Sequence, residues 1–221
     1  MAEIDLRERG DGENFLQTPP AGALPAAVGE LPPYIGVARD DVCLVHTADD
    51  LALARHALRA APVLGFDTES RPTFRKGESS TGPHLIQLAT DQRVFLFQVG
   101  SGETPDLLRE VLESPGILKV GFGLRDDLKR LQLKLSIRAA HVLDLAVALR
   151  QERRGDVGAK TAVALFFGQR LQKSKKTSTT NWSLPRLSDA QILYAANDAQ
   201  VALRIYQEWQ ARLAATSAGR E

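Results

Sequence analysis

Val63-Leu64-Gly65-Phe66-Asp67-Thr68-Glu69 places two carboxylates, one residue apart, at the end of a mostly apolar run. A short apolar run that ends in polar residues predicts a buried central strand emerging at the edge of its sheet. Side chains at i and i+2 of a strand share a face. Asp67 and Glu69 therefore stand side by side and repel unless a proton or a cation intervenes. A divalent ion that takes oxygen ligands, Mg2+ or Mn2+, resolves the repulsion. A strand end with two solvated acids fits the same seven residues, so the choice falls to the rest of the chain.

Working outward, Val42 to His46 reads as a strand, followed by a helix capped by Thr47 or Asp49 and running to about Ala60. Pro72, Gly77, Gly82 and Pro83 make residues 71–83 a loop. Leu85 to Ala89 and Arg93 to Phe97 form a hairpin around Asp91-Gln92. Leu118 to Phe122 is a further strand, and the segments 104–113, 124–133, 157–168 and 188–214 carry helical periodicity. His141 to Asp144 leads into a helix through about Glu152, and 171–187 is a polar loop. Strands that meander and then alternate with helices predict one α/β domain with a mixed sheet, antiparallel in the hairpin and parallel later. Residues 1–40, with Pro19-Pro20, Pro25 and Pro32-Pro33, read as an irregular arm. The domain is expected over 41–215, with 216–221 a flexible tail.

Two more acids fall on inward faces. Leu124, Leu128 and Leu131 make a narrow helical stripe, and Asp127 lies about 70° from its centre whereas Asp126 lies nearly opposite. Asp127 is also placed where a helix N-terminus favours an acid. In the last helix Tyr194 and Asp198 are four apart and share a face among apolar neighbours, where an aspartate is costly unless a charge or metal pairs with it. Asn197, Gln200 and Arg204 mark the wet side. Asp144 is adequately explained as a helix cap, and His84 and His141 lack partners at ligand spacing.

Composition narrows the class. The chain has 221 residues, enough for one substantial domain. Its 43% hydrophobic and 25% charged residues are ordinary for a globular protein, and a formal net charge of +1 names no partner. A single cysteine, Cys43, excludes an intrachain disulfide framework and a Cys-based zinc cluster. The first residues are charged, without the apolar core of a signal peptide, and no stretch approaches the ~20 apolar residues of a membrane helix. These features predict a cytoplasmic protein with no membrane partner; protein partners are not specified.

Four inward carboxylates can hold two divalent cations ~3.5–4 Å apart, an arrangement that activates water and stabilises a leaving alkoxide in phosphodiester hydrolysis. Tyr194, one helical turn from Asp198, would orient or deprotonate the attacking water, and its ordinary pKa near 10 favours orientation. In chain order, Phe66-Asp67-Thr68-Glu69, Leu85-Ile86-Gln87-Leu88, Gly123 with Asp127-Leu128-Lys129-Arg130-Leu131, and Tyr194-Ala195-Ala196-Asn197-Asp198-Ala199 resemble the DEDDy-type 3′–5′ exonucleases. The likeness is to the ribonuclease D and Werner-syndrome exonuclease branch, spans about Val42 to Trp209 and includes Asn181-Trp182-Ser183. It implies a ribonuclease H-like fold, a mixed five- or six-stranded sheet flanked by helices. It also implies metal binding by Asp67, Glu69, Asp127 and Asp198 and a water-orienting role for Tyr194. The chain is expected to lack the helicase of Werner proteins and the C-terminal helical domains of ribonuclease D.

Between Val157 and Ser188 there are no acids and six bases, Lys160, Arg170, Lys173, Lys175, Lys176 and Arg186; the remaining 22 bases face all 27 acids. A basic loop on an otherwise acidic chain suits a nucleic-acid backbone, though a solvated loop has the same composition. Lys173 and Lys175 are expected to contact substrate there, with Trp182 stacking on a base or anchoring the loop in the core. Thr68, Phe74, Arg75 and Lys76 are further expected contacts beside the acids. Nothing in the chain reads base edges. The resemblance implies a substrate of DNA or RNA with a free 3′ end, cut to nucleoside monophosphates. A haloacid-dehalogenase-like phosphatase also places two acids two apart after a strand, but leaves Tyr194 and Asp198 unexplained. A catalytically inactive nucleic-acid-binding domain of the same fold is the non-enzymatic alternative.

Overall fold

Among the described residues, runs rich in valine, leucine and phenylalanine form six strands: β1 (Val42–Leu44), β2 (Val63–Glu69), β3 (Leu85–Ala89), β4 (Val94–Gln98), β5 (Leu118–Gly121) and β6 (Val142–Asp144). The computed structural model describes residues 30–73, 78, 80–100, 106–150 and 155–218. It orders the strands β1-β4-β3-β2-β5-β6 in one sheet. β2–β3 and β3–β4 are antiparallel pairs, whereas β1–β4, β2–β5 and β5–β6 are parallel pairs. This is the mixed sheet the sequence predicts, in its six-stranded form.

Helices cover both faces. α1 (Ala48–Ala60) starts at a capping box in which Thr47 and Asp50 bond each other's backbone N–H. It packs with α2 (Asp106–Glu113) and α3 (Arg125–Leu135) on one face. There Leu58, Leu107, Val111 and Leu131 meet Leu64, Phe66, Ile86 and Phe95. On the other face, Ala162 and Val163 of α5 (Ala159–Phe167) and Ala195, Ala199 and Leu203 of α7 (Asp189–Ala218) meet Leu85, Ala89, Val94 and Leu96. Burying each of the valine, leucine, isoleucine and phenylalanine side chains among these contributes about 1.5–3 kcal/mol.

Local chemistry sets where the helices stop and start. α4 (Leu145–Ala148) is one turn long rather than reaching Glu152, because the Ala146 carbonyl accepts from Val157 N–H and Arg150 N–H turns to Val147. The polar loop contains a short α6 (Lys175–Ser178), capped by the Ser174 hydroxyl. A reciprocal Ser188–Gln191 pair opens α7: the serine hydroxyl accepts from Gln191 N–H, and the glutamine carbonyl oxygen accepts from Ser188 N–H. α7 runs on to Ala218, past residue 215.

The last residues of the N-terminal arm lie on α7. Pro33 bridges to Arg170, Tyr34 N–H donates to Arg170 O, and Val37 N–H donates to Asn197 Oδ1 at 2.8 Å. Arg204 donates to the Tyr34 hydroxyl. The side of α7 expected to face water is therefore partly covered by its own chain.

Candidate active site

β2 delivers Asp67 and Glu69 to the end of the central strand, on the face covered by α7. The helix comes unusually close. A Cβ at Gly65 would lie 2.0 Å from the Ala199 carbonyl oxygen, so glycine is what lets the α7 backbone rest on β2. Asp198, next to Ala199, then reaches the strand acids. Carboxylate oxygens of Asp67, Glu69 and Asp198 lie within 4.8 Å of one another.

Asp127 approaches from the other side of the strand. It is buried while Asp126 is exposed, as the helical wheel predicts. Thr68, alternating away from Asp67 and Glu69, donates its hydroxyl to Asp127 Oδ1, and Arg130 lies 3.4 Å from the same oxygen. Asp127 is thus outside the tight trio, although its charge acts on both Asp67 and Glu69. The N-terminus of α3 is held by Asp144, whose two oxygens accept from Gly123 and Leu124 N–H at 2.9 Å while Oδ1 also takes Ala146 N–H. Gly123 makes the entry with φ +68°. Asp144 therefore caps two helix starts, one of which carries Asp127; spacing alone reveals only the nearer.

Crowded, half-buried acids resist ionising. Burial, then the charges of Asp198 and Asp127, push Asp67 well above the usual carboxylate range. Burial and the charges of Asp67 and Asp198 push Glu69 up to about 9. Burial raises Asp198 too, while Lys173 and Tyr194 hold it back. Lys173 Nζ stands 3.0 Å from Asp198 Oδ1 and 5.9 Å from the centre of the Tyr194 ring. Burial works against its charge, but Asp198, Asp67 and Glu69 outweigh that and keep the ammonium protonated. Burial and the same three acids raise the Tyr194 phenol, so it stays a proton donor.

The other expected contacts are distributed differently. Lys173 is drawn into the acid cluster, and Lys175 is exposed at the start of α6. Thr68 is buried with its hydroxyl committed to Asp127. Trp182 is fully buried, its ring 6.1 Å from that of Tyr194 and its Nε1 donating to Ser178 O. No face is left for a base: the indole anchors the loop behind Tyr194. Phe74, Arg75 and Lys76 lie outside the described residues. Beside Lys173 a cavity of about 630 Å³ is lined by Lys160, Arg170, Leu171, Gln172 and Ser174. His84 is structural: it is buried, its Nδ1 accepts from Arg71 N–H, and burial lowers it to about 4.

Hard oxygen donors from three carboxylates, mutually repelling and facing one lysine, fit a divalent cation.

Residues 42–214 match the family model described as 3′–5′ exonuclease. The chain is 29% identical over 201 residues to the human exonuclease mut-7 homolog, covering 77% of this chain and 22% of that protein. With ribonuclease D of Acidiphilium cryptum it shares 33% identity over 175 residues, 77% of this chain and 43% of the enzyme. The chain thus spans less than half the length of either relative. The crystal structure of the Aedes aegypti Nibbler EXO domain superposes with a TM-score of 0.71 at 24% identity, covering 83% of this chain and 94% of that one. The sheet order and this likeness make the fold ribonuclease H-like.

Proposed function

The chain belongs to the 3′–5′ exonuclease family, and on that premise we propose that it hydrolyses phosphodiester bonds from the 3′ end of a nucleic acid, releasing nucleoside monophosphates. The observation that carries this reading is the trio of Asp67, Glu69 and Asp198 within 4.8 Å, formed by a strand end and by a helical residue 129 positions after Glu69.

Asp67, Glu69 and Asp198 would hold divalent cations, Mg2+ or Mn2+, and Asp127 would join them as a ligand of a second ion on releasing Thr68. When bound, such ions supply Lewis-acid activation of water and neutralise charge on the leaving oxygen. The protein side of the chemistry falls to few groups. Tyr194, kept protonated by burial and three acids, orients the attacking water rather than removing its proton. Lys173 sits at the acids and also lines the basic cavity together with Lys160 and Arg170, while Lys175 is exposed beside it in sequence. These bases would hold backbone phosphates, which gives affinity without sequence preference. Phe74, Arg75 and Lys76 stay in the proposal as contacts beyond Glu69. Residues 41–215 are proposed as the catalytic unit, with the arm before it and the last residues outside it, and the compartment as the cytoplasm.

The phosphatase alternative does not account for Tyr194 and Asp198 standing against the strand acids. An inactive binding domain would have no use for acids held in such mutual repulsion. The test is degradation of 5′-labelled single-stranded DNA and RNA, and of recessed duplex ends, with Mg2+ or Mn2+. Stepwise shortening from the 3′ end is expected, reduced to background by Asp67→Ala or Asp198→Ala. Cutting of circular single strands, or full activity in Asp198→Ala, would overturn the reading.

A further inference from the structure

Directly across the sheet from Asp67, in the antiparallel register of β2 and β3, stands Gln87. Opposed residues share a face, with Cβ atoms about 4.5–5.5 Å apart. On that face its neighbours along β3 are Leu85 and Ala89, and its partner on β4 is Leu96, all members of the apolar cluster beneath α7. Gln87 is the polar member of this row. Its relative exposure is 0%, and neither Nε2 nor Oε1 has a hydrogen-bond partner.

A buried amide left unpaired destabilises a core, and a leucine would pack there without that penalty. Buried water requires two or more polar partners in one place. Here the two amide atoms and the Asp67 carboxylate supply three. Asp67 Oδ1 takes Thr68 N–H at 2.9 Å, and Glu69 and Asp198, with oxygens within 4.8 Å, repel the carboxylate, so a further hydrogen bond would fix its orientation. Groups behind a ligating carboxylate fix its orientation, and losing one typically weakens metal binding 10–100-fold.

We propose that Gln87 is a positioning residue: its amide donates, through one buried water, to the Asp67 carboxylate and holds the rotamer that presents Asp67 to a cation shared with Glu69 and Asp198. The inference rests on the metal-binding reading above.

The test compares the full chain with Gln87→Met, which keeps the volume and removes the hydrogen-bonding groups, and with Gln87→Leu as a second apolar variant. Mn2+ affinity and the spectrum of bound Mn2+ are measured by electron paramagnetic resonance, and melting temperature is measured without metal. The expected result is a metal-free melting temperature unchanged or raised, Mn2+ bound about tenfold more weakly, and an altered spectrum. Variants that bind Mn2+ as tightly as the parent overturn the inference alone. Variants whose metal-free melting temperature falls show a structural amide and also overturn it. A parent chain that binds no Mn2+ overturns the metal reading and the inference with it.

Discussion

Glu69 shows most directly what crowding does to a single residue. Burial and the charges of Asp67 and Asp198 raise its carboxyl from 4.5 to about 9. The folded state therefore binds a proton that the unfolded chain has released anywhere between those values. Stability of the metal-free protein must fall as pH rises through that window. The expected outcome is a metal-free melting temperature that declines from about pH 5 to pH 9, with a shallower decline in Glu69→Gln, read by calorimetry in chelator. At this scale the acids and Tyr194 are legible because periodicity says which face a residue takes, as the split between Asp126 and Asp127 shows. Lys173 is not, because no local pattern tells which base of a polar loop folds back onto an acid 25 residues later. Gln87 inside Leu-Ile-Gln-Leu is equally opaque, since its partner residue lies on another strand.

Among the elements, α7 and β2 set the geometry of the site through one contact. The Cβ of an alanine at position 65 would fall 2.0 Å from the Ala199 carbonyl oxygen and 3.1 Å from Leu203 Cβ. The helix would have to lift, carrying Asp198 with it. Gly65→Ala is expected to cost about 2–3 kcal/mol of stability and to weaken Mn2+ binding, measured by urea unfolding and by Mn2+ titration. Unchanged metal affinity in a destabilised Gly65→Ala would separate helix packing from the site. Element types and most boundaries follow from the sequence, since β2 to β4 are short apolar runs bounded by polar or turn residues and α7 repeats apolar residues at helical spacing. The short α4 does not, because its end depends on Val157 returning to Ala146. The direction in which the Asn181-Trp182-Ser183 segment packs is likewise a tertiary fact, and it turns Trp182 inward.

For the molecule as a whole, the mixed sheet is predictable from the order of strands and helices, but the parallel pairing of β1 with β4 at the sheet edge is not. Nor is the return of the arm. Arg204 donates to the Tyr34 hydroxyl at 3.1 Å, and its guanidinium lies 5.4 Å and 5.6 Å from the Tyr34 and Phe167 rings. Those contacts tie the start of the described chain to the outer side of α7, away from the acids. Arg204→Ala should therefore cost about 1 kcal/mol of stability and leave Mn2+ affinity unaltered, checked by chemical denaturation and metal titration. A parallel loss of metal affinity would mean that the arm helps to set the position of α7.

The reach of α7 across the sheet also bears on biosynthesis. Glu69 leaves the ribosome long before Asp198, and the strand acids meet their partner only when α7 has emerged and docked on Gly65. A growing chain thus carries an incomplete set of the proposed ligands until α7 has been made. A protein proposed to degrade nucleic acid would in this way stay harmless beside its own messenger until α7 has docked.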